Sequence, residues 1–314
     1  MRRDGSVLWN DSLLLLTAVI WGLAFVAQRV GMDHVGPFTY NAVRFALGSL
    51  SLVPLILIGD SRARRRPGKA AGSPAAPRAV GRIAILPAGL LAGVILAFGA
   101  SLQQIGLVYT TAGKAGFITG LYVVLVPLSG LLWRQRAGFS AWVGAALSVC
   151  GLFLLSVTSP LTIDRGDLLV LVGAFFWTAH VQVVGWLSPR TDPVRLSCVQ
   201  FAVCSAVSAA GAFLTEVPRW DAILAAAGPI LYGGLLSVGV AYTLQVVAQR
   251  SAPPAHAAIL LSLESVFAAL GGWVLLGERL PLRGVAGCVT IFAGVIVSQA
   301  PLILASLAAG RRRV

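Results

Sequence analysis

Glu264 is an acidic side chain in the middle of an apolar stretch. From His256 to Leu276 the chain runs for 21 residues with one formal charge. At about 1.5 Å of rise per residue, a helix of this length spans the roughly 30 Å hydrocarbon core of a bilayer. Glu264 lies eight residues into the run, which is about 12 Å deep. A carboxylate at that depth is costly unless it is protonated, paired or facing a water-filled cavity, and such residues are typical of functional sites.

The composition is that of a polytopic membrane protein. Of the 314 residues, 57% are hydrophobic and 11% are charged, and the mean hydropathy is +0.86. Too few polar residues are present to cover a soluble globule of this length. The net charge of +13 would favour nucleic acid if it formed a surface patch, but the Lys and Arg residues lie mainly in loops and tails and indicate topology instead. No nucleic-acid partner is expected.

No catalytic or cofactor-binding motif is present in the sequence. Cys150, Cys198, Cys204 and Cys288 lie in apolar segments without metal-ligand spacing, so they predict neither a disulfide nor a metal site. The histidines also lack metal-ligand spacing, and there is no Walker A sequence to bind ATP. We therefore expect no enzyme activity and no cofactor.

Ten apolar runs are long enough to cross a bilayer, which predicts an all-α protein. Short segments rich in Gly, Pro, Asp or Arg join most of them. The exception is a long basic loop, residues 60–82, whose composition is typical of a solvated, disordered segment. The predicted helices are residues 12–31, 38–59, 83–107, 113–133, 138–158, 167–187, 194–215, 222–248, 256–276 and 283–306.

The distribution of positive residues predicts the orientation of these helices. With the N-terminus in the cytoplasm, the inner side receives 17 Lys and Arg residues and the outer side receives six, while Arg44 lies within the second helix. This excess favours a cytoplasmic location for both ends of the chain in a plasma (bacterial inner) membrane.

The sequence also repeats itself. The matches are Trp21 with Trp177 and Arg44-Phe45-Ala46 with Gln200-Phe201-Ala202 at an offset of 156, and Gln103 with Gln245 at an offset of 142. The basic loop in the first half accounts for the change of offset. Because five is odd, two successive five-helix repeats cross the membrane in opposite senses, as in secondary transporters whose substrate site lies near the midplane. We expect an all-α polytopic membrane protein of ten transmembrane helices arranged as two inverted five-helix repeats.

The expected domain organisation follows from this repeat. It comprises a cytoplasmic N-terminal tail (1–11), a first repeat (12–158) that contains the basic loop, a second repeat (159–306) and a basic cytoplasmic tail (307–314). The lipid bilayer is an expected partner of the chain. The sequence leaves open whether the chain is a monomer or a homodimer.

The motifs of the two repeats resemble a known family. Trp21-Gly22 with Phe25, the pair Arg44-Phe45, and the stretch from Ser262 to Glu278 are similar to EamA-domain members of the drug/metabolite transporter superfamily. The resemblance covers nearly the whole chain. It implies a ten-helix carrier that moves small metabolites such as amino acids by alternating access. One departure is that Arg134-Gln135 stands where the second repeat has Gly277-Glu278.

Repeat symmetry selects candidates for a substrate cavity, because a site between inverted repeats draws on equivalent positions of both. Trp21 and Trp177 lie near the middle of the bilayer, where they either form the walls of a cavity or fill space between helices. Glu264 matches Tyr122 at an offset of 142. The full set of candidates is Trp21, Phe25, Gln28, Gln103, Tyr122, Trp177, His180, Tyr242, Gln245 and Glu264.

Four residues are candidates for coupling or gating: Glu264, Arg44, Lys114 and His256. A buried Glu264 either exchanges a proton during transport or stabilises helix packing as a hydrogen-bonded acid. Arg44 is either a counter-ion for an acid or a structural anchor, and the anchor is slightly favoured. Lys114 and its counterpart His256 lie near opposite ends of the cavity, where they act either as gates or as interfacial side chains. His180 either shares the proton work or packs.

The function expected is that of a secondary transporter for a small molecule, with protons as the candidate coupling ion. Aromatic walls with one buried acid and one buried base favour amino acids or amines. The alternatives are an uncoupled facilitator, an exporter of hydrophobic cations or drugs, and a non-transporting scaffold whose basic loop binds the anionic inner leaflet.

Overall fold

The structure is a computed structural model that describes the backbone of residues 2–64, 83–110, 112–156, 164–277 and 279–311. Side chains are described for residues 7–62, 83–110, 115–155, 164–275, 277 and 279–301. Most of the basic loop, the boundary between the predicted repeats, Glu278, the end of the C-terminal tail and the side chain of Lys114 lie outside the described residues.

The described residues form fourteen α-helices and contain no strand. The helices are α1 (Arg2–Met32), α2 (Pro37–Arg64), α3 (Ile85–Tyr109), α4 (Ala112–Gly120), α5 (Tyr122–Leu132), α6 (Phe139–Ser156), α7 (Arg165–Leu187), α8 (Pro193–Thr215), α9 (Trp220–Ala225), α10 (Ala227–Leu231), α11 (Thr243–Ala248), α12 (Pro254–Leu261), α13 (Glu264–Leu276) and α14 (Leu282–Arg311). A 3-10 turn, Ser188–Arg190, follows α7, and a π-helical segment, Tyr232–Tyr242, joins α10 to α11.

The described residues contain ten apolar helical segments, as the sequence predicts. In the described part of the chain, nine helical segments are long enough to cross a bilayer, with mean hydropathies between 1.6 and 2.1, and Phe139–Leu155 is a shorter apolar helix between the fourth and sixth of the ten. Three spans combine several elements. The fourth consists of α4 and α5, the eighth runs from α10 through the π-helical segment to α11, and the ninth consists of α12 and α13.

The second and seventh spans, α2 and α8, pack against each other in opposite directions. Ser49 donates a hydrogen bond to the carbonyl oxygen of Cys198 at 2.9 Å, and Ser205 donates one to the carbonyl oxygen of Ala42 at 2.8 Å. At the offset of 156, Ala42 is equivalent to Cys198 and Ser49 is equivalent to Ser205. The two hydrogen bonds are therefore equivalent to each other under the repeat symmetry. Equivalent helices that run antiparallel require repeats of opposite orientation.

The fifth and tenth spans, α6 and α14, meet through four glycines with the same symmetry. A Cβ atom on Gly144 would lie 2.6 Å from the carbonyl oxygen of Gly294, and one on Gly151 would lie 2.6 Å from that of Gly287. The reverse distances are 2.7 Å and 2.6 Å. Real Cβ atoms do not approach a carbonyl oxygen this closely, so only glycine permits these backbones to touch. The pairing is again antiparallel.

The fourth and ninth spans are each interrupted by a tight turn at equivalent positions. Leu121 and Leu263 adopt nearly the same backbone angles, with φ of −58° and −62° and ψ of −17° and −15°. Each turn is closed by hydrogen bonds between residues three apart, for example from the amide of Leu263 to the carbonyl oxygen of Leu260 at 3.2 Å. Short 3-10 stretches inside a helix are typical of hinges. The sequence predicts continuous helices here, and the structure divides both.

The eighth span departs from the α-helix over Tyr232–Tyr242. Its glycines bring it unusually close to α2, because a Cβ atom on Gly234 would lie 2.7 Å from the Cβ atom of Leu47 and one on Gly48 would lie 2.2 Å from Val238. A π-helix is rare and is found frequently at functional sites. The sequence predicts a regular helix over residues 222–248, and nothing in its apolar pattern indicates the wider turn.

Candidate functional site

A cavity lies between the two repeats, lined by residues from spans one to four, six, eight and nine. The structure brings together all ten residues that the sequence nominates for the cavity, together with Arg44. The lining residues are Trp21, Ala24, Phe25, Gln28, Arg44, Gln103, Thr119, Tyr122, Trp177, His180, Val181, Ser237, Tyr242, Gln245, Leu261 and Glu264. Binding of a substrate by these residues stays a prediction.

Glu264 occupies the first position of α13, directly after the interruption of the ninth span. Its carboxylate accepts a hydrogen bond from the phenol of Tyr122 at 3.1 Å, and Tyr122 holds the equivalent first position of α5. Both side chains are more than nine-tenths buried. Close packing of α1 supports this arrangement, since a Cβ atom on Gly22 would lie 2.7 Å from the carbonyl oxygen of Glu264. The repeat therefore brings its matched residues into contact.

Aromatic rings form one wall of the cavity. The ring of Tyr242 lies 4.4 Å from that of Trp21 and is stacked 6.3 Å from that of Trp177. The imidazole of His180 meets both Trp177 and Tyr242 edge to face. Trp21 donates its indole N–H to the carbonyl oxygen of Ser237 at 3.1 Å. Trp177 donates its own to Gln103 Oε1 at 2.8 Å. Both tryptophans thus have fixed positions, and aromatic ring faces can receive a cation.

Arg44 is a buried cation on the same cavity, with 3% of its surface exposed. Its Nε donates a hydrogen bond to Asn41 Oδ1 at 3.0 Å, and its guanidinium carbon lies 4.9 Å from the centre of the Phe45 ring. Within the described part of the chain, no carboxylate oxygen lies within 4.0 Å of this guanidinium. Asn41 and Phe45 therefore position a positive charge that an anionic group is still free to pair with.

His180 is held at the cavity by a polar contact with Gln200, a residue of the same repeat. Its Nε2 lies 3.0 Å from Gln200 Oε1, and Gln200 is the repeat counterpart of Arg44. His180 is 1% exposed. The first repeat thus has the guanidinium of Arg44 at this position, whereas the second has the neutral amide of Gln200, which contacts the imidazole of His180. The cavity is accordingly asymmetric in charge although its frame is symmetric.

The cavity is narrow. The space open to the centres of water molecules is about 50 Å³, whereas a single water requires roughly 10–15 Å³ of such space. It therefore has room for a few waters, and a metabolite of amino-acid size would require the surrounding helices to separate.

Sequence comparison decides the family. A model of the EamA-like transporter family matches residues 8–157 and again residues 164–299. The chain belongs to the EamA-like transporter family. Its two matches correspond to the two antiparallel sets of helices, and the chain is thus a membrane transporter of the drug/metabolite type.

Relatives in bacteria and archaea match this chain over most of their own length and carry transporter names. An uncharacterized transporter of Archaeoglobus fulgidus is 30% identical over 293 residues, covering 93% of this chain and 86% of the relative. The uncharacterized inner membrane transporter YedA of Escherichia coli strain K12 is 27% identical, covering 89% and 87%. A solved crystal structure matches with a TM-score of 0.71 at 18% identity, covering 95% of this chain and 98% of that one. This last similarity concerns the fold alone.

One of the residues nominated for gating in this EamA-like chain, His256, does not line the cavity. His256 Nε2 is 2.6 Å from Asp11 Oδ1, so it joins the start of α12 to α1. His256 also lines a second cavity with Arg136, Ser140 and Ser298. Lys114 belongs to α4, and its side chain lies outside the described residues.

Thr119 and Ser237 line the cavity but were not nominated from the sequence. Thr119 lies three residues before Tyr122, a spacing that places both on one helix face, so this face was open to prediction. Ser237 lies five residues before Tyr242. In an α-helix that spacing separates two side chains by about 140°, whereas the i to i+5 bonding of a π-helix brings them to nearly the same face. The sequence carries no signal for this change.

Proposed function

We propose that this chain is a secondary transporter that moves small amines or zwitterions, amino acids above all, across the cytoplasmic membrane by alternating access. Glu264 exchanges a proton during the cycle. Both chain ends lie in the cytoplasm, in keeping with the distribution of positive residues. The repeats rock about the cavity and expose it to one side at a time.

The observation that carries the proposal is the separation of Glu264 and Arg44 on one cavity. Each is more than nine-tenths buried, and no ion pair within 4.0 Å joins either to an opposite charge in the described part of the chain. A buried guanidinium without a partner is costly, and so is the carboxylate of Glu264 whenever it is ionised. A zwitterion supplies both missing partners at once, because its ammonium pairs with Glu264 and its carboxylate pairs with Arg44.

Proton exchange follows from the surroundings of Glu264. Its hydrogen-bond partner is a neutral phenol, and the cavity beside it admits little water. In the empty cavity the neutral, protonated acid therefore costs less than the carboxylate. Arrival of a substrate ammonium stabilises the carboxylate and releases the proton. One proton then moves against each ammonium, which is the stoichiometry of an antiporter.

The alternatives differ in what they require of these two residues. An exporter of hydrophobic cations uses the aromatic wall and Glu264 but has no use for Arg44. An uncoupled facilitator requires no ionisable acid, and a scaffold requires no cavity. The presence of Arg44 on the cavity favours a substrate that carries a negative group as well as a positive one.

Reconstitution of the purified chain in proteoliposomes tests the proposal. We expect a pH gradient to drive accumulation of a labelled amino acid or amine, and Glu264→Gln to abolish the gradient-driven part while leaving exchange of unlabelled for labelled substrate. Tyr122→Phe is the matched control, since it removes the hydrogen bond but keeps the acid. It should slow uptake by about twofold to tenfold, as expected for one neutral hydrogen bond. Full gradient-driven accumulation by Glu264→Gln would exclude Glu264 as the coupling residue.

A further inference from the structure

Gln103 and Gln245 are equivalent residues of the two repeats, and both line the cavity. An amide side chain has a donor end and an acceptor end, and the surrounding hydrogen bonds decide which end faces a ligand. The two glutamines are held by different partners. Their orientations can therefore be worked out independently.

The orientation of Gln245 is fixed by a relay that begins at a backbone carbonyl. The carbonyl oxygen of Val181 can only accept, so Gln249 turns its Nε2 towards it, at 3.0 Å. Gln249 Oε1 then accepts from Gln245 Nε2 at 3.1 Å. The remaining atom, Gln245 Oε1, is buried and has no hydrogen-bond partner among the described residues. An unpaired acceptor beside the cavity is costly until a donor reaches it.

The orientation of Gln103 is fixed in the opposite sense. The indole N–H of Trp177 can only donate, and it does so to Gln103 Oε1 at 2.8 Å. The end of Gln103 that is left for another partner is its NH₂ group, a pure donor. The equivalent positions of the two repeats therefore present an acceptor on one side and a donor on the other.

We propose that Gln245 Oε1 is a specificity-determining acceptor for an N–H of the substrate's ammonium, and that Gln249 is the positioning residue that keeps this oxygen turned to the ligand. Gln103 offers its NH₂ group to the carboxylate end. This inference rests on the proposed function and narrows its substrate class, because it requires an ammonium that carries hydrogen. A quaternary ammonium has no N–H and leaves Gln245 unpaired.

The two residues have distinct roles. Gln245 lines the cavity, whereas Gln249 does not, is 2% exposed and lies at the end of α11. Without Gln249, the amide of Gln245 is free to turn its NH₂ group towards the ligand. Removal of Gln249 is therefore expected to reduce the selectivity between ligands and not the affinity for ligands in general.

Binding of butylammonium, butyltrimethylammonium and butyrate to the purified full-length chain, measured by calorimetric titration, tests this inference. The wild type is expected to bind butylammonium about tenfold more tightly than its trimethyl analogue, as one charged hydrogen bond would give. Gln245→Met should reduce this ratio to about twofold or less. Gln249→Met should reduce it in part, and the double variant should resemble Gln245→Met. Gln103→Met is the matched control, which should keep the ratio and weaken butyrate binding.

The inference fails if the wild type binds both ammonium ions equally, if it binds neither, or if Gln245→Met keeps the tenfold ratio while its melting temperature matches the wild type. Its failure can be told apart from that of the proposed function, which is measured by proton-linked flux. Amine flux with an unchanged ratio in Gln245→Met overturns the inference alone. An intact ratio without proton-linked flux overturns the coupling alone.

Discussion

Arg44 illustrates how a single buried side chain separates one class of substrate from another. Its guanidinium is fixed by Asn41 and Phe45. The side chain therefore loses little conformational entropy when a carboxylate binds. Its repeat counterpart is Gln200, which shows that this position of the frame also accepts a neutral amide of similar length.

We predict that Arg44→Gln selectively impairs carboxylate-bearing substrates. Uptake of a transported amino acid should fall by about tenfold or more, because a charged hydrogen bond is lost from a buried site. Uptake of the corresponding amine, which lacks the carboxylate, should change by less than about threefold. Parallel flux measurements with the two solutes provide the check, and equal losses for both would assign Arg44 a role in folding alone.

At the scale of helices, the pair formed by Asp11 and His256 connects the first and ninth spans outside the cavity lining. Gln299 of α14 lies beside the same imidazole, with its Nε2 3.4 Å from His256 Nε2. By the repeat offsets, Asp11 corresponds to Asp167 and His256 to Lys114. Asp167 lies at the start of α7, where the hydroxyl of Thr110 donates to it. Because the repeats are inverted, these equivalent acids lie on opposite sides of the membrane, near opposite ends of the predicted transport path.

We predict that these two acids close opposite ends of the cavity. Asp11→Asn should speed labelling of a cysteine placed at Phe25 from the cytoplasmic side by about threefold and slow it from the outer side, because a partly buried ion pair is weakened. Asp167→Asn should do the reverse. A membrane-impermeant maleimide, applied to vesicles of either orientation after replacement of the four native cysteines, measures both rates.

Asp60→Asn is the control for this experiment. It removes an exposed ion pair with Arg195 that joins α2 to α8. Neither residue lines the cavity, so neither labelling rate should move. Shifts of Asp11→Asn and Asp167→Asn in the same direction would contradict opposed gates.

At the scale of the whole molecule, the sequence contains most of what defines the frame. Ten apolar runs give ten spans, and the matched residues Tyr122 and Glu264 meet because inverted repeats bring equivalent positions to a common axis. Two of the features that the sequence did not predict have a clear physical reason. The π-helical segment depends on close packing against α2, a tertiary effect that leaves no periodic signal. Asp11 was assigned to the N-terminal tail because it precedes the apolar run. In the structure α1 begins at Arg2, so Asp11 lies within this helix and contacts His256.

The basic loop distinguishes a transporter from a scaffold at this scale. We predict that deletion of residues 62–79 leaves proton-driven uptake within about twofold of the wild type. The deletion removes six positive residues and leaves 11 on the predicted inner side against six on the outer side, so the orientation should hold.

The shortened loop is also expected to be long enough to connect α2 to α3. Asp60 at the end of α2 pairs with Arg195, and the amide of Ile83 before α3 donates to the carbonyl oxygen of Arg190 at 3.4 Å. One end of the loop is therefore held to the first turn of α8 and the other to the short connection just before it, and the five residues that remain before α3 extend to about 17 Å. Flux assays on the deletion variant test this prediction. Surface accessibility of its C-terminus checks that the orientation is unchanged. Loss of uptake in a correctly inserted variant would show that the loop itself takes part in function, as a membrane-bound scaffold requires.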